Sequence, residues 1–202
     1  MKETKVQFSD AEMDLMCNRE VILTKNMVVQ KVKILLEELQ NEMTERNKNN
    51  AEIFSNDVFS ISPKISKGEN YLGLPYLILD YPRIFKQQDI FAIRTMFWWG
   101  HFFSTTLHLS GIFKNEYGPK IVAAFNLLAK EKYSIGVNTD PWLHHFGPDN
   151  YKKIALITKD LFEGECNKAY HLKIAKTISL NDDYPQQKLF ENWKEFVTIC
   201  FA

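Results

Sequence analysis

Five histidines, His101, His108, His144, His145 and His171, are the residues of this chain best suited to hold a metal or to move a proton near neutral pH. Three of them, or two with Asp80 or Asp140, would make an open zinc or iron centre. Their spacing does not favour one. There is no His-Glu-x-x-His pattern, and His144 and His145 are adjacent, so an extended segment points them apart. Neither a metal site nor a cofactor is expected.

Asp80 offers different chemistry. It sits between Leu79 and Tyr81, where burial would raise its pKa and a neighbouring Arg83 or Arg94 would lower it again. Asp80, Arg94, His101 and His144 gathered in one cleft would suit acid–base or metal-assisted hydrolysis. The competing reading is a structural Asp–Arg pair at a strand end, and it is preferred, because such pairs also perturb pKa values. Cys17 and Cys200 fall on helical patterns, and the acidic neighbours of Cys166 disfavour a thiolate. No Gly-x-Ser-x-Gly elbow, phosphate-binding loop or dinucleotide fingerprint is present. The balance leans away from an enzyme.

The elements that must position these groups are dominated by aromatic residues. Eleven lie between Tyr71 and Phe113. Leu74–Tyr81, Ile90–Trp99 and Phe102–Ser110 read as strands. Gly100-His101 suits a two-residue turn with glycine at the first central position. That register pairs Trp99 with Phe102 and gathers Phe91, Phe97, Trp99, Phe102 and His108 on one face. Trp98, Met96, Phe103 and Leu107 then lie on the other. Helices can cover one side, and large exposed apolar patches are rare on monomers. A small molecule, a protein partner or a second copy of the chain would cover the rest. The leading expectation is a non-catalytic binding module. It would use Phe91, Phe97, Trp99, Phe102 and His108, with the irregular segments 62–73 and 138–150 at one end of the sheet.

A third reading is nucleic-acid binding through Lys64, Lys67, Arg83, Lys86 and Arg94, interleaved with Tyr71, Tyr76, Tyr81 and Phe85. Glu69, Asp80 and Asp89 interrupt that patch, and 25 basic residues balance 25 acidic ones. Nucleic acid is therefore not the expected partner.

Around this segment the pattern is helical at both ends. Ser9 and Glu12 have capping-box spacing. Val28, Val32, Leu35, Leu36, Leu39 and Met43 form a stripe, predicting a helix over 21–46 that stops at Asn47–Asn50. Residues 51–73 read as a long loop with a short strand at 58–61. Gly118-Pro119 predicts a helix start. Tyr133–Val137 and Tyr170–Leu180 alternate as strands, and Lys153–Phe162 is ambiguous. A last helix follows Pro185. Consecutive strands with tight turns give an α+β fold with an antiparallel sheet packed by helices. The 202 residues fit a single domain, with N-terminal helices at about 10–46 and the sheet and its helices at about 58–202. Sparse cysteines, no signal-like leader and apolar runs short of the ~20 residues of a membrane helix predict a cytoplasmic protein without a membrane partner. The run SPKISKGENYLGLPYLILDYPR (62–83), continued by IRTMFWWGHFF (93–103), resembles uncharacterised bacterial proteins of about this length. The resemblance implies no activity, cofactor or site.

Overall fold

The computed structural model describes residues 6–49 and 57–201. Helix α1 (Asp10–Cys17) opens on the expected capping box. The Ser9 hydroxyl accepts the Glu12 amide, and the Glu12 carboxylate takes the Ser9 N–H at 2.7 Å. Helix α2 (Arg19–Asn49) follows at once and runs past the predicted stop at Asn47, while Asn50 lies outside the described residues. Its stripe Val32, Leu36, Leu39 and Met43 is buried. Its first turns and α1 are not. Leu15, Met16, Ile22, Leu23 and Met27 stand exposed on this N-terminal arm, and α1 buries no residue at all.

Seven strands form one antiparallel sheet in the order β1-β2-β3-β4-β7-β5-β6. They are β1 (Lys64–Tyr71), β2 (Leu74–Phe85), β3 (Ile90–Trp98), β4 (Phe102–Ser110), β5 (Ser134–Gly136), β6 (Tyr151–Lys153) and β7 (His171–Ser179). The α+β class with an antiparallel sheet is as the sequence predicts.

Strand β1 occupies residues 64–71 of the stretch expected to be loop. Its charges and glycine hide it from a hydrophobic pattern, but they suit an edge strand, which backbone bonds hold and charges protect. Gly68 leaves room for the ring of its cross-strand partner Tyr76, which a Cβ would meet at 2.2 Å. The strand expected at 58–61 is instead a turn of 3-10 helix (Asp57–Phe59) with Val58 and Phe59 buried; residues 51–56 of the predicted loop are outside the described residues.

The β3–β4 turn differs from expectation by one residue. Trp98, not Trp99, faces Phe102, and Trp99-Gly100-His101 form the loop. Gly100 takes φ +73° as the second central residue of a turn closed by the His101 N–H on the Trp98 carbonyl at 3.1 Å. Side chains alternate with period two, so a slip of one exchanges the faces of β4. Arg94 and Met96 now share a face with Thr106 and Ser104. Phe91, Phe97 and Trp99 lie on the opposite face from Phe102 and His108, and the predicted five-residue binding surface does not exist as one face.

Helices α2, α3 (Gly111–Ala123) and α6 (Pro185–Phe201) cover one face, which contributes Leu79, Phe91, Ile93, Leu107, Leu109 and Ile174. Trp193 of α6 is fully buried and donates its indole N–H to the Tyr81 carbonyl at 2.8 Å. Helix α3 starts earlier than Gly118-Pro119 predicts and carries Pro119 within it. Gly111, at φ +56°, lets the chain turn from β4 straight into the helix, where the Asp89 carboxylate accepts the Ile112 N–H at 2.9 Å. Helix α4 (Phe125–Lys130) follows a break at Ala124. The ambiguous 153–162 stretch becomes a 3-10 turn (Ile154–Leu156) and the start of helix α5 (Lys159–Lys168).

The opposite face divides in two. Ile78, Met96 and Trp98 form a small apolar cluster with Tyr71, Leu74, Tyr76 and Phe102 packed on it. Asp80, Arg94, Thr106, His108, His171 and Lys173 make up the polar half. Segment 137–150 lies over that half. Both faces are thus covered by the chain itself, and the expected exposed apolar sheet face is absent from the described residues. No helix among these residues is long and apolar enough to cross a membrane.

Candidate functional site

Asp80 and Arg94 face each other across β2 and β3. Arg94 Nε donates to Asp80 Oδ1 at 2.8 Å and Nη2 to Oδ2 at 3.0 Å, a bidentate pair with Asp80 nearly buried. The remaining edge of the guanidinium reaches His144, with Nη1 3.3 Å from Nε2. A guanidinium only donates, so Nε2 accepts and the ring proton sits on Nδ1. A bulge between Asp80 and Arg83 reverses the alternation of β2, turning Ile84 into the helix-side core and Phe85 toward the guanidinium. Phe85 lies 5.8 Å below Arg94 and packs on Trp142.

Two strands away the cluster continues. Lys173 of β7 lies beside His108 of β4 and is 2% exposed. Its ammonium donates to the Leu143 carbonyl and sits 5.1 Å from the centre of the Tyr151 ring. No carboxylate contacts it among the described residues; Asp140 acts on it only from a distance. Burial, with the Arg94 charge nearby, lowers the Lys173 ammonium to about 8. The same two causes, with Lys173, hold His144 down to about 2. His108 is pushed to about 3 by burial and then by Lys173, His171 and Arg94. His171 falls to about 4, mainly through burial. All three rings are neutral at pH 7. His108 Nε2 and His171 Nδ1 are buried without a hydrogen-bond partner.

Segment 137–150 is a strap closed on itself. The Val137 N–H meets the Asn150 carbonyl at 2.8 Å, the Asn138 amide meets the Asp149 carbonyl at 3.1 Å, and the Asn150 amide meets the His145 carbonyl at 2.6 Å. It is fastened to the sheet at Tyr71, whose hydroxyl accepts the His144 and His145 amides at 2.6 and 3.0 Å. His145 Nε2–H donates to the Asp149 carboxylate at 3.0 Å, which leaves Nδ1 to accept the Tyr71 hydroxyl at 3.3 Å. Segments 62–73 and 138–150 thus do meet at one end of the sheet, through β1. Beneath the strap a cavity of about 10 Å³ is bounded by Arg94, Thr106, His108, His144, Lys173 and Phe85. That is on the order of the space one water molecule requires.

Of the residues singled out in the sequence, Asp80, Arg94 and His144 converge, and His108 joins them. His101 does not. It is exposed in the hairpin turn and stacks on Trp98 at 3.6 Å. Phe91 and Phe97 belong to the helix-side core, Trp99 packs at its rim, and Phe102 packs on the small apolar cluster. The basic patch is dispersed: Arg94 and Tyr81 are inside, Lys67 pairs with Glu69 at 2.6 Å, and Arg83 donates to the Ser62 carbonyl. Lys173 was not foreseen as a site residue, and Tyr71 was named only as a stacking residue of the nucleic-acid patch. The alternation of HLKIAKTIS carries the signal for Lys173, because burying Leu172 and Ile174 turns it to the other face beside His171. Among the described residues no group of three or more His, Cys, Asp or Glu side chains is arranged to hold a metal ion. In comparisons with known proteins, no family model, no curated protein and no solved structure matches the chain.

Two outcomes follow from this geometry. Asp80→Asn leaves Arg94 enclosed without a counter-charge and should cost about 3–5 kcal/mol in urea unfolding. Adding Arg94→Met should restore much of that loss. The histidines set a pH dependence. Their folded pKa values lie below the unfolded value, so between pH 6.5 and about 4 the unfolded chain binds more protons and stability falls as pH falls. Unfolding midpoints across that window should drop in the wild type, and the slope should shrink in His108→Gln.

Proposed function

We propose that the protein is a non-catalytic binding module for a small carboxylate-bearing molecule, whose acidic end enters between Arg94 and Lys173 beneath the strap. The observation that carries this reading is the charge count of the enclosed cluster. Two cations, Arg94 and Lys173, share one buried carboxylate, and that carboxylate is committed to Arg94. A buried ammonium facing only a carbonyl and a ring is costly, and an anion offsets that cost. The cavity is small, so the ligand's head group must be compact and His144 must turn aside to admit it. A planar carboxylate suits this better than a tetrahedral phosphate. The acid–base alternative has weaker support, because the lone pair of His144 Nε2 is engaged by Arg94 and the ring is a poor base when its pKa is near 2.

Acetate should raise the melting temperature of the wild type in a saturable way, while phosphate at equal ionic strength should not. Lys173→Met should abolish the acetate effect and, in anion-free buffer, match or exceed wild-type stability. Equal acetate shifts in both proteins would remove the basis of the reading.

A second reading concerns the N-terminal arm. An eight-residue helix that buries nothing is marginal by itself, and Leu15, Met16, Ile22, Leu23 and Met27 present an apolar surface beside it. Self-association through the arm would cover that surface. Native mass spectrometry should then show a dimer that Leu23→Glu with Met27→Glu converts to monomer with an unchanged melting temperature; a wild-type monomer at tens of micromolar would exclude it.

A further inference from the structure

A second site lies at the far edge of the sheet; it shares the strap and Tyr151 with the enclosed cluster but none of the cluster's charged groups. Strand β5 pairs with β7 only through Ser134 and Ile135, so β7 runs on past it and leaves a recess beside Lys176 and Thr177. The recess is a groove of about 740 Å³, within the roughly 300–1,000 Å³ of small-molecule clefts. One side is apolar and comes from the end of the strap and the turn after β6: Phe146, Pro148, Ala155, Leu156 and Ile157. Phe146 is stacked on Tyr151 at 4.4 Å, which gives that side a rigid wall. Leu156 is 79% exposed at the mouth, although its neighbour Ile154 anchors the same turn in the core.

The rest of the lining is largely basic. Lys132, Lys152, Lys153 and Lys176 line the groove, and no Asp or Glu does. Lys152 has a surface ion pair with Glu165 at 2.9 Å and Lys176 one with Glu131 at 3.6 Å. Pairs near the surface are weak and exchange for another anion. Lys132 and Lys153 have no ion pair among the described residues. Apolar surface edged by lysines, with no carboxylate in the lining, matches one kind of molecule, with a greasy body and an acidic head.

We infer that this groove binds a single-chain anionic amphiphile of the fatty-acid type. The carboxylate lies among Lys132, Lys152, Lys153 and Lys176, and the hydrocarbon chain lies along Phe146, Pro148 and Leu156. The chain supplies apolar burial, and the lysines supply head-group selectivity at the rim, where charge steers and discriminates. An acidic protein segment would satisfy the lysines but would not need a continuous apolar wall.

Dodecanoate below its micelle concentration is the probe, titrated calorimetrically into the full chain. It should bind one-to-one, and dodecyl maltoside, with the same chain and no charge, should bind at least about tenfold more weakly, a difference of ~1.4 kcal/mol. Leu156→Asp, and Lys152→Glu with Lys153→Glu, should each weaken dodecanoate by about tenfold or more while the melting temperature stays unchanged. Lys173→Met should leave dodecanoate binding intact, which separates this site from the enclosed cluster. The proposal is overturned if dodecanoate gives no saturable heat, if the two amphiphiles bind equally, or if the groove variants bind like the wild type. Displacement of dodecanoate by a glutamate-rich peptide would also overturn it, assigning the groove to an acidic protein segment.

Discussion

The enclosure of charge on the outer face of the sheet constrains the rest of this molecule. Arg94 is held from three directions: two N–H groups bond Asp80 across the strand pair, one bonds His144 of the strap, and the Phe85 ring lies alongside. His144 arrives only because the strap is closed upon itself and pinned at the Tyr71 hydroxyl. Tyr71 is in place only because β1 continues the sheet beyond β2. The polar cluster, the strap and the edge strand are therefore mutually dependent, and none of them is a free-standing surface feature.

This arrangement resolves what would otherwise be a surplus of apolar strand residues. The sheet is hydrophobic on both sides near the β3–β4 turn, as its sequence implies, but the second side is shared between a small aromatic cluster and a strap rather than left for a partner. Open apolar surface is found on the N-terminal arm and in the groove near Leu156, with single exposed residues such as Leu72, Ile112 and Leu161 elsewhere. Binding at either would be peripheral to the sheet face on which the sequence places it.

Much of the framework is legible in the sequence because its signals are local. The α2 stripe from Val32 to Met43, the alternation of β7 and the Ser9 capping box each depend on neighbours a few residues apart. Strand β1 was hidden because an edge strand has little to bury, and its charges read as loop. Which β3 residues share a face with Phe102 and His108 was hidden by a single residue in the turn. A glycine with positive φ serves as well at the second central position of a hairpin turn as at the first, and the choice exchanges every β4 side chain. Three residues of the site, Asp80, Arg94 and His144, could be named from their types and settings. Lys173 could not, since what marks it is the lack of a carboxylate in a place only the folded chain defines.

Under the proposed function, that unmatched ammonium is the charge an acidic ligand would neutralise, as Asp80 neutralises Arg94. The direct measurement is the titration of the Lys173 side chain by NMR, with and without saturating acetate. The account predicts a value near 8 in the free protein, well below that of an ordinary lysine, and a clear rise when acetate is bound. An ordinary lysine value that acetate leaves unmoved would contradict it.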